Sequence, residues 1–429
     1  MKLMVIGSGG REHAVIRSLL KNPRVTGLHA LPGNGGIAAE PGVECLPIAA
    51  TDLEGVVRHA VDFGADFAVV TPDDPLCLGM ADALEAAGVR CFGPSKAAAR
   101  IEGSKVFAKA LMRKYGIPTA AYEVFDDCDA ALAYVGRAPL PIVVKADGLA
   151  LGKGVTVALT RAEARQAVEA AMRGRVFGES GARLVMEEYL EGPEISVLAF
   201  TDGKTLVPML ASMDHKRAYD GDEGPNTGGM GAVCPNPYYT EAVAKECMER
   251  IFLPTIRAMA AEGCPFRGCL YFGLMLTRDG PKVIEYNCRF GDPETQVVLP
   301  LLETDLLDIM EACAEGRLAQ LDIRWSEKSA CCVVLASGGY PKAYKKGFEI
   351  SGLAENGQPA DGEAEAFHAG TRREGGRYYT NGGRVLGVTA TGMTLAEAVE
   401  RAYAAADGIG FEGLHRRGDI GARALAAGR

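Results

Sequence analysis

In KVIEYNCRFGDPETQ (282–296) a carboxylate, an amide and a guanidinium occupy alternate positions, Glu285, Asn287 and Arg289, and two more acids, Asp292 and Glu294, follow in a Gly-Asp-Pro-Glu turn. Successive strand side chains point to opposite faces, so the three polar groups project together while Ile284, Tyr286 and Cys288 form an apolar backing. Carboxylate and amide oxygens suit a hard divalent cation, and a neighbouring guanidinium suits an anion. A plain half-exposed strand also alternates, but its wet face would carry Lys, Thr and Ser. This strand is therefore read as one that holds a metal and an anion side by side.

The other stretches able to do chemistry are rich in glycine, lysine and acid. In GSGGREH, Gly7 and Gly9 follow a candidate strand, where glycine lets the backbone approach a phosphate at a helix N-terminus. A dinucleotide fingerprint needs a third glycine where Glu12 stands and an acid at the end of the next strand, which instead reads HALPGNGG; a nicotinamide dinucleotide is disfavoured. Two readings remain for Gly9-Gly10 and Gly33-Asn34-Gly35-Gly36: a shared phosphate site, or tight turns only. No G-x-x-x-x-G-K-[ST] occurs, so a P-loop is excluded. Lys145 ends an apolar strand, and the following ADGLALGKGV makes a Gly-rich flap carrying Lys153; a lysine at a strand end either snorkels or pairs with an anion. RLVMEEYLEGPEIS supplies Glu187, Glu188 and Glu194. In a nucleotide site a strand edge at 187–190 offers backbone groups to a purine and Glu194 binds ribose hydroxyls; the alternative is an ordinary acidic turn. MDHKRAYDGDEGPNTGGMGA (213–232) groups Asp214, His215, Lys216 and Arg217 before a loop too rich in glycine for a helix. Charge runs usually mark a solvated face, yet the backbone N–H groups of TGGMG suit an anion.

These groups need a scaffold, and the chain alternates strands and helices from its start. KLMVI (2–6) is a continuous apolar run, Arg11 to Lys21 places Val15, Ile16, Leu19 and Leu20 on one helix side, and FAVV (67–70) and VRCF (89–92) are further buried strands. The pattern is that of a doubly wound parallel sheet. A helix starts at Ser104 and stops at Gly116-Ile117-Pro118, with Arg113 and Lys114 in its last turn, so a boundary is expected near residue 103. Residues 122–190 read as strand, helix and strand, with Thr160 and Glu163 as a capping box. EISVLAF and TLVPML flank the hairpin signal Asp202-Gly203, and GCLYFGLMLT joins KVIEYN through Arg278-Asp279-Gly280. From Ser329, short strands and Gly-rich turns lead to a helix capped by Thr394 and Glu397, which reads as a separate α+β domain.

At 429 residues the chain exceeds one ordinary core and suggests roughly two to four domains of ~100–200 residues each. No run of ~18 apolar residues occurs, and Met1-Lys2 leads straight into a strand, so neither a membrane span nor a secretory signal is expected. The 12 cysteines are scattered without a C-x-x-C pair and read as reduced, packed thiols of a cytoplasmic protein. With 55 acids against 46 bases the net charge is −9, which disfavours a nucleic-acid sheath while leaving local basic spots for a phosphorylated small molecule.

Taken together, GSGGREHA, PGNGG, GPSKAAARIEGSK, VVKADGLALGKGV, EEYLEG, DHKRAYDGDEGPNTGGMGA, EYNCRFGDPETQ, FHAGT and TNGGRVLGVTA span essentially the whole chain. In type and order they resemble the signatures of the glycinamide ribonucleotide synthetase (phosphoribosylamine-glycine ligase) family of ATP-grasp ligases. The resemblance implies an α/β and α+β multidomain fold. Its parts are a preATP-grasp doubly wound parallel sheet over 1–103, an ATP-grasp domain over 104–325 and a C-terminal α+β domain over 326–429. The middle part divides into a lid at about 122–190 and a central catalytic part at about 191–325. ATP, glycine and 5-phosphoribosylamine are the implied substrates, Mg2+ or Mn2+ the metal, and glycinamide ribonucleotide, ADP and phosphate the products. The implied enzyme is cytoplasmic, serves purine biosynthesis, and is a monomer or weak homodimer without nucleic-acid or membrane partners.

By the same resemblance, Lys105 and Lys145 contact the ATP phosphates, with Lys153 on the flap. Glu187, Tyr189 and Leu190 meet the adenine, and Glu194 meets the ribose. Glu285 and Asn287 hold the metal. Arg289 pairs with the glycine carboxylate or the transferring phosphoryl group, and with Lys145 forms the catalytic pair by neutralising charge. Asp214 takes the glycine ammonium; His215, Lys216, Arg217, Asp292 and Glu294 lie on the substrate side; Gly9, Gly10, Arg11, Glu12, Gly33 and Asn34 meet the ribose phosphate. Two departures stand out. Thr71-Pro72-Asp73-Asp74-Pro75-Leu76 replaces the usual Gly-Pro-Glu, so a ribose contact falls to the shorter Asp73, and GCLYFGLMLT carries no third metal carboxylate. Rival readings are another ATP-grasp carboxylate-amine ligase with a different acceptor, and a nucleotide-binding regulator without turnover.

Overall fold

The computed structural model describes residues 1–150, 154–360 and 362–428. Its first sheet is parallel: β1 (Lys2–Gly7), β2 (Gly27–Pro32), β3 (Val43–Cys45), β4 (Phe67–Val70) and β5 (Arg90–Phe92) stand in the order β3-β2-β1-β4-β5. Leu3 to Ile6 and Phe67 to Val70 are buried, which is why these strands read as unbroken apolar runs. The order reverses between β1 and β4, the place where open α/β sheets leave a crevice, and the loop after β1 carries Gly9 to Glu12.

The helix Lys105–Tyr115 ends where its sequence dictates: Ser104 Oγ accepts from Phe107 N at 3.1 Å, and Gly116 closes it with a left-handed φ of 67°. It leads into an antiparallel sheet of β6 (Tyr122–Phe125), β7 (Ile142–Ala146), β8 (Val155–Ala158) and β9 (Leu184–Glu188), ordered β6-β9-β7-β8. Ile142, Val144, Leu184 and Met186 pack on the helices Cys128–Val135 and Arg161–Val168, the second opened by the expected Thr160/Glu163 capping box. Alternation therefore turns Lys145 and Glu187 to the other face, toward the large cleft.

The strands β10 (Glu194–Asp202), β11 (Leu206–Pro208), β12 (Met213–Asp214), β13 (Arg217–Tyr219), β14 (Glu223–Asn226), β15 (Gly231–Cys234), β16 (Arg267–Thr277) and β17 (Gly280–Asn287) follow. The central sheet is β11-β10-β16-β17, and β13 and β14 form a hairpin of their own. The segment between them does not stay in the central sheet: β15 pairs with β18 (Ser329–Ser337), so β12 and β15 extend a sheet completed by the strands Arg384–Gly392 and Glu365–His368. Through that sheet the Asp214 segment is built onto the C-terminal part, across the expected division at 325/326. Its strands are two and four residues long, too short for periodicity to reveal their partners.

The N-terminal sheet is fastened to the same C-terminal part around one amide and one imidazole. Asn34 Nδ2 donates to Ser8 O at 2.8 Å and His368 O at 2.7 Å, while its Oδ1 accepts from Gly36 N at 2.9 Å and Ile37 N at 3.0 Å. His13 Nδ1 accepts from His368 N at 2.9 Å and its Nε2 meets Glu40 at 3.0 Å. The approach is close enough that a Cβ on Gly36 would fall 2.2 Å from the His368 ring.

Burial lowers the pKa of His13, of His368 to about 3 and of His215 to about 4. An unfolded histidine titrates near ~6.5, so below that pH the unfolded chain takes up protons that the native state refuses. The stability these rings contribute is complete above pH ~6.5 and is lost as the pH falls toward ~4, at up to about 1.4 kcal/mol per pH unit for each ring. Denaturant titrations at pH ~7.5 and ~5 should show the midpoint falling, and His368→Asn should flatten the slope; a pH-independent midpoint in wild type would contradict this.

Candidate functional site

A cavity of about 510 Å³ lies between the β6–β9 sheet and β17 and is lined from all parts of the chain. On β17, Glu285 stands opposite Gly273, where a Cβ would sit 2.9 Å from the glutamate Cγ, so the glycine makes room for the carboxylate. Val283, Tyr286 and Cys288 face the core, and Tyr286 Oη bonds Thr255 Oγ1 at 2.9 Å. Ile284 does not join them as expected. A bulge opposite Gly273 and Leu274 interrupts the alternation, and Ile284 lines the cavity beside Glu285, Asn287 and Arg289.

The polar triad is tied together rather than merely aligned. Arg289 Nη2 donates to Asn287 Oδ1 at 3.1 Å and to Glu102 Oε1 at 2.9 Å, Nη1 donates to Phe290 O at 3.3 Å, and Nε is buried without a partner. Lys216, with Lys145 and Lys105 behind it, holds the Glu285 carboxyl down at about 2 against the effect of burial. An ionised carboxylate and an amide oxygen on one strand face are hard donors that fit Mg2+ or Mn2+. Among the described residues no group of three or more His, Cys, Asp or Glu side chains offers a fuller cage. A cation here would therefore complete its shell with oxygens from its guest and from water.

Next to this face the lysines gather. Lys145 Nζ lies 3.0 Å from Glu187 Oε2 and donates to Ile284 O at 3.0 Å. Lys109 reaches the same oxygen at 3.1 Å and donates to Thr119 Oγ1 at 2.7 Å; burial pushes its ammonium down to about 8. Lys105 donates to Gly148 O at 3.1 Å, and its pKa is lowered by burial. Among the described residues Glu187 Oε1 is buried without a hydrogen-bond partner. The expected strand edge at Glu187 is not an edge: that residue pairs with Val143 on one side and Tyr122 on the other. The chain leaves the sheet only after Glu188, with Tyr189 exposed and Leu190 buried, and neither borders the cavity. Lys153 lies outside the described residues.

The cavity is also lined by acids. Among the described residues Asp214 Oδ1 is buried without a hydrogen-bond partner, and burial, helped by the Glu294 charge, raises that carboxyl well above its ordinary range. Glu294 accepts from Tyr271 Oη at 2.9 Å, which bonds Ser196 at 2.9 Å. Asp292 accepts from Gln296 Nε2 at 2.7 Å and lies 3.4 Å from Arg384. Arg384 Nη1 also donates to Gly228 O and Asp292 O, each at 2.6 Å, and Tyr340 Oη accepts from Gly228 N at 3.1 Å, so the C-terminal part supplies some of the cavity wall.

Several residues read as substrate contacts are engaged elsewhere. Both Glu12 oxygens are used, by Gly9 N and by Arg11 Nε at 2.6 Å, and cap the helix Gly10–Leu19. That leaves Gly9 without a free N–H, while Gly10 packs against Gln296. Gly33 N bonds Gly7 O at 3.1 Å, and Asn34 is spent on the domain clamp. His215 lies behind the cavity, its Nε2 accepting from Gly421 N at 3.2 Å, and Arg217 donates to Gly224 O at 2.7 Å within the β13–β14 hairpin. Arg11 and Asp73 do border the cavity. Glu194 is not part of that lining but lies 3.1 Å from Lys216, which is. Lys109, Glu102, Tyr271 and Arg384 were not read as site residues. Lys109 could have been found four positions after Lys105 on one helix, and Arg384 within TNGGR; Glu102 and Tyr271 carry no local signal.

Against known proteins, residues 1–102 match the phosphoribosylglycinamide synthetase N domain, 103–295 its ATP-grasp (A) domain and 330–423 its C domain. The phosphoribosylamine–glycine ligase of Vibrio vulnificus (strain YJ016) is 49% identical over 427 residues, 99% of each chain. The crystal structure of phosphoribosylamine–glycine ligase from Thermotoga maritima superposes with a TM-score of 0.85 at 33% identity, covering 98% of this chain and 100% of that one. A biotin carboxylase from Campylobacter jejuni, solved as a beta-gamma-ATP complex, shares the fold at a TM-score of 0.75 and 14% identity, covering 97% and 92%.

Glu187→Gln would leave two buried ammonium groups without their shared counter-charge, and removing one partner from a buried ion cluster costs about 3–5 kcal/mol. The thermal midpoint should fall accordingly, and Lys109→Met, which keeps the Lys145 pair, should fall less. Equal midpoints for wild type and Glu187→Gln would show that the lysines are neutralised in another way.

Proposed function

The chain belongs to the phosphoribosylglycinamide synthetase family, and on that footing we propose that its cavity joins glycine to 5-phosphoribosylamine using ATP, giving glycinamide ribonucleotide, ADP and phosphate. One observation carries the reading. The oxygen pair Glu285 and Asn287 shares one cavity with four lysines and with Asp214, whose buried Oδ1 has no hydrogen-bond partner among the described residues. A polyphosphate suits the lysines and an ammonium that carboxylate, so a zwitterionic amino acid bound at Asp214 can turn its carboxylate to the phosphates.

In this reading glycine's carboxylate attacks the γ-phosphorus, ADP departs, and glycyl phosphate forms; the amine of phosphoribosylamine then displaces phosphate from the activated carbonyl. Positioning and charge neutralisation do most of the work in such transfers. Lys145 and Lys105 hold the phosphates. Arg289 is fixed by Glu102 and Asn287 so that its unpartnered Nε is free for an incoming oxygen. Asp214 receives the glycine ammonium, with Glu294 adding negative charge. Glu194 is assigned to the ribose of ATP, and Arg11 with Asp73 to phosphoribosylamine. A divalent cation on Glu285 and Asn287 would screen the charge of the transferring phosphoryl group. The enzyme is assigned to the cytoplasm and to small-molecule substrates alone, as a monomer or weak homodimer.

Glu285→Gln should fold normally and lose most ADP release measured with glycine and freshly made phosphoribosylamine, each omitted in turn; near wild-type turnover at limiting magnesium would refute the metal assignment. Asp214→Asn should raise the glycine concentration for half-maximal rate by about 10–100-fold with little change for ATP, since a hydrogen bond to a charged group contributes ~1.5–3 kcal/mol. An unchanged glycine requirement would move the ammonium site elsewhere.

A further inference from the structure

Lys216 stands where the nucleotide's own partners would have to go. Its Nζ lies 3.1 Å from Glu194 Oε2 and 3.4 Å from Glu285 Oε1, bridging the start of β10 to β17. The other cavity lysines have partners assigned to neither metal nor ribose: Lys145 has Glu187 and Ile284 O, Lys109 has Glu187, and Lys105 has Gly148 O. Lys216 sits on the two carboxylates assigned above to ribose and metal, and the inference rests on that assignment. A hard cation takes oxygen ligands at about 2.0–2.6 Å. It would repel an ammonium held at hydrogen-bond distance from the same carboxylate.

We propose that Lys216 is an internal stand-in cation, which neutralises Glu194 and Glu285 before a nucleotide binds, keeps free divalent metal off Glu285, and is displaced when metal and nucleotide arrive together. Only its side chain needs to move, because its carbonyl is pinned by Thr227 N at 2.8 Å and Thr227 Oγ1 at 2.9 Å. The metal alone meets an occupied carboxylate. Metal bound to a nucleotide brings phosphate ligands and a ribose that competes for Glu194, so it breaks both bridges at once. Metal entry thereby becomes dependent on nucleotide, and the released ammonium stays rooted two residues from Asp214, beside the site assigned to glycine.

The test is Mn2+ binding to the full chain without nucleotide, followed by the electron paramagnetic resonance of free Mn2+. Lys216→Met should bind Mn2+ about tenfold more tightly than wild type, the factor expected if Lys216 occupies Glu285 in roughly nine molecules of ten. Lys216→Arg should restore the exclusion, and adding Glu285→Gln to Lys216→Met should abolish the gain. Circular dichroism and thermal melting establish that each variant is folded. Unchanged or weaker Mn2+ binding by folded Lys216→Met overturns the proposal. A parallel titration of Mn2+ with ADP separates the two ideas. If Glu285→Gln binds the pair as tightly as wild type, the metal assignment falls and this proposal with it. If Glu285→Gln weakens the pair while Lys216→Met gains nothing for free Mn2+, the stand-in role alone falls.

Discussion

Four ammonium groups, those of Lys105, Lys109, Lys145 and Lys216, line one cavity, and their mutual compensation is the constraint on which the rest of the architecture depends. A buried charge left unpaired costs several kcal/mol, so each lysine needs an oxygen within reach. Glu187 serves two of them with one oxygen, Gly148 O serves Lys105, and Glu194 and Glu285 share Lys216. The acids Asp214, Asp292 and Glu294 line the same cavity. The result is a single cavity that holds both signs of charge, and focusing of those fields by low-dielectric walls favours guests carrying both charges.

No one part of the chain can build this cavity. Glu102 comes from the end of the N-terminal region, Lys105 and Lys109 from the helix that follows, Lys145 and Glu187 from the lid sheet, and Glu285 to Arg289 from the central sheet. Asp214 arrives on a sheet that it shares with the C-terminal strands, and Arg384 from those strands ties Gly228 O to Asp292 O. Docking of the parts is therefore a component of the site. The Asn34 clamp, which uses all four hydrogen-bonding positions of one amide, helps to set that docking.

The physical pattern explains which readings survived. Strands buried on both faces, capped helices and Gly-closed turns are decided by a few neighbouring residues, and the parallel sheet, the helix from Ser104 and the Thr160 capping box are where local rules put them. The alternation on β17 was legible because a strand's side-chain period is rigid, and it failed only at Ile284, where a bulge in the pairing inserted an extra residue. The glycine loops carry a signal of the same local kind. Glycine signals close approach, but at Gly36 the approaching group is the His368 ring. His215 and Arg217 adjoin Asp214 and Lys216 in sequence, yet one points into the C-terminal packing and the other into its own hairpin.

Taken alone, the order of residues determined the element types, the caps, the family and the pairing of a carboxylate with an amide on one strand face, because each depends on spacing along a backbone of fixed geometry. Only the tertiary structure decided that Lys109 and Lys145 share one glutamate, that Lys216 lies against the carboxylates assigned to metal and ribose, and that one Asp214 oxygen has no hydrogen-bond partner among the described residues. Those outcomes depend on distances between segments tens to hundreds of residues apart, and electrostatic pairing acts on distance in space, which the sequence does not encode locally.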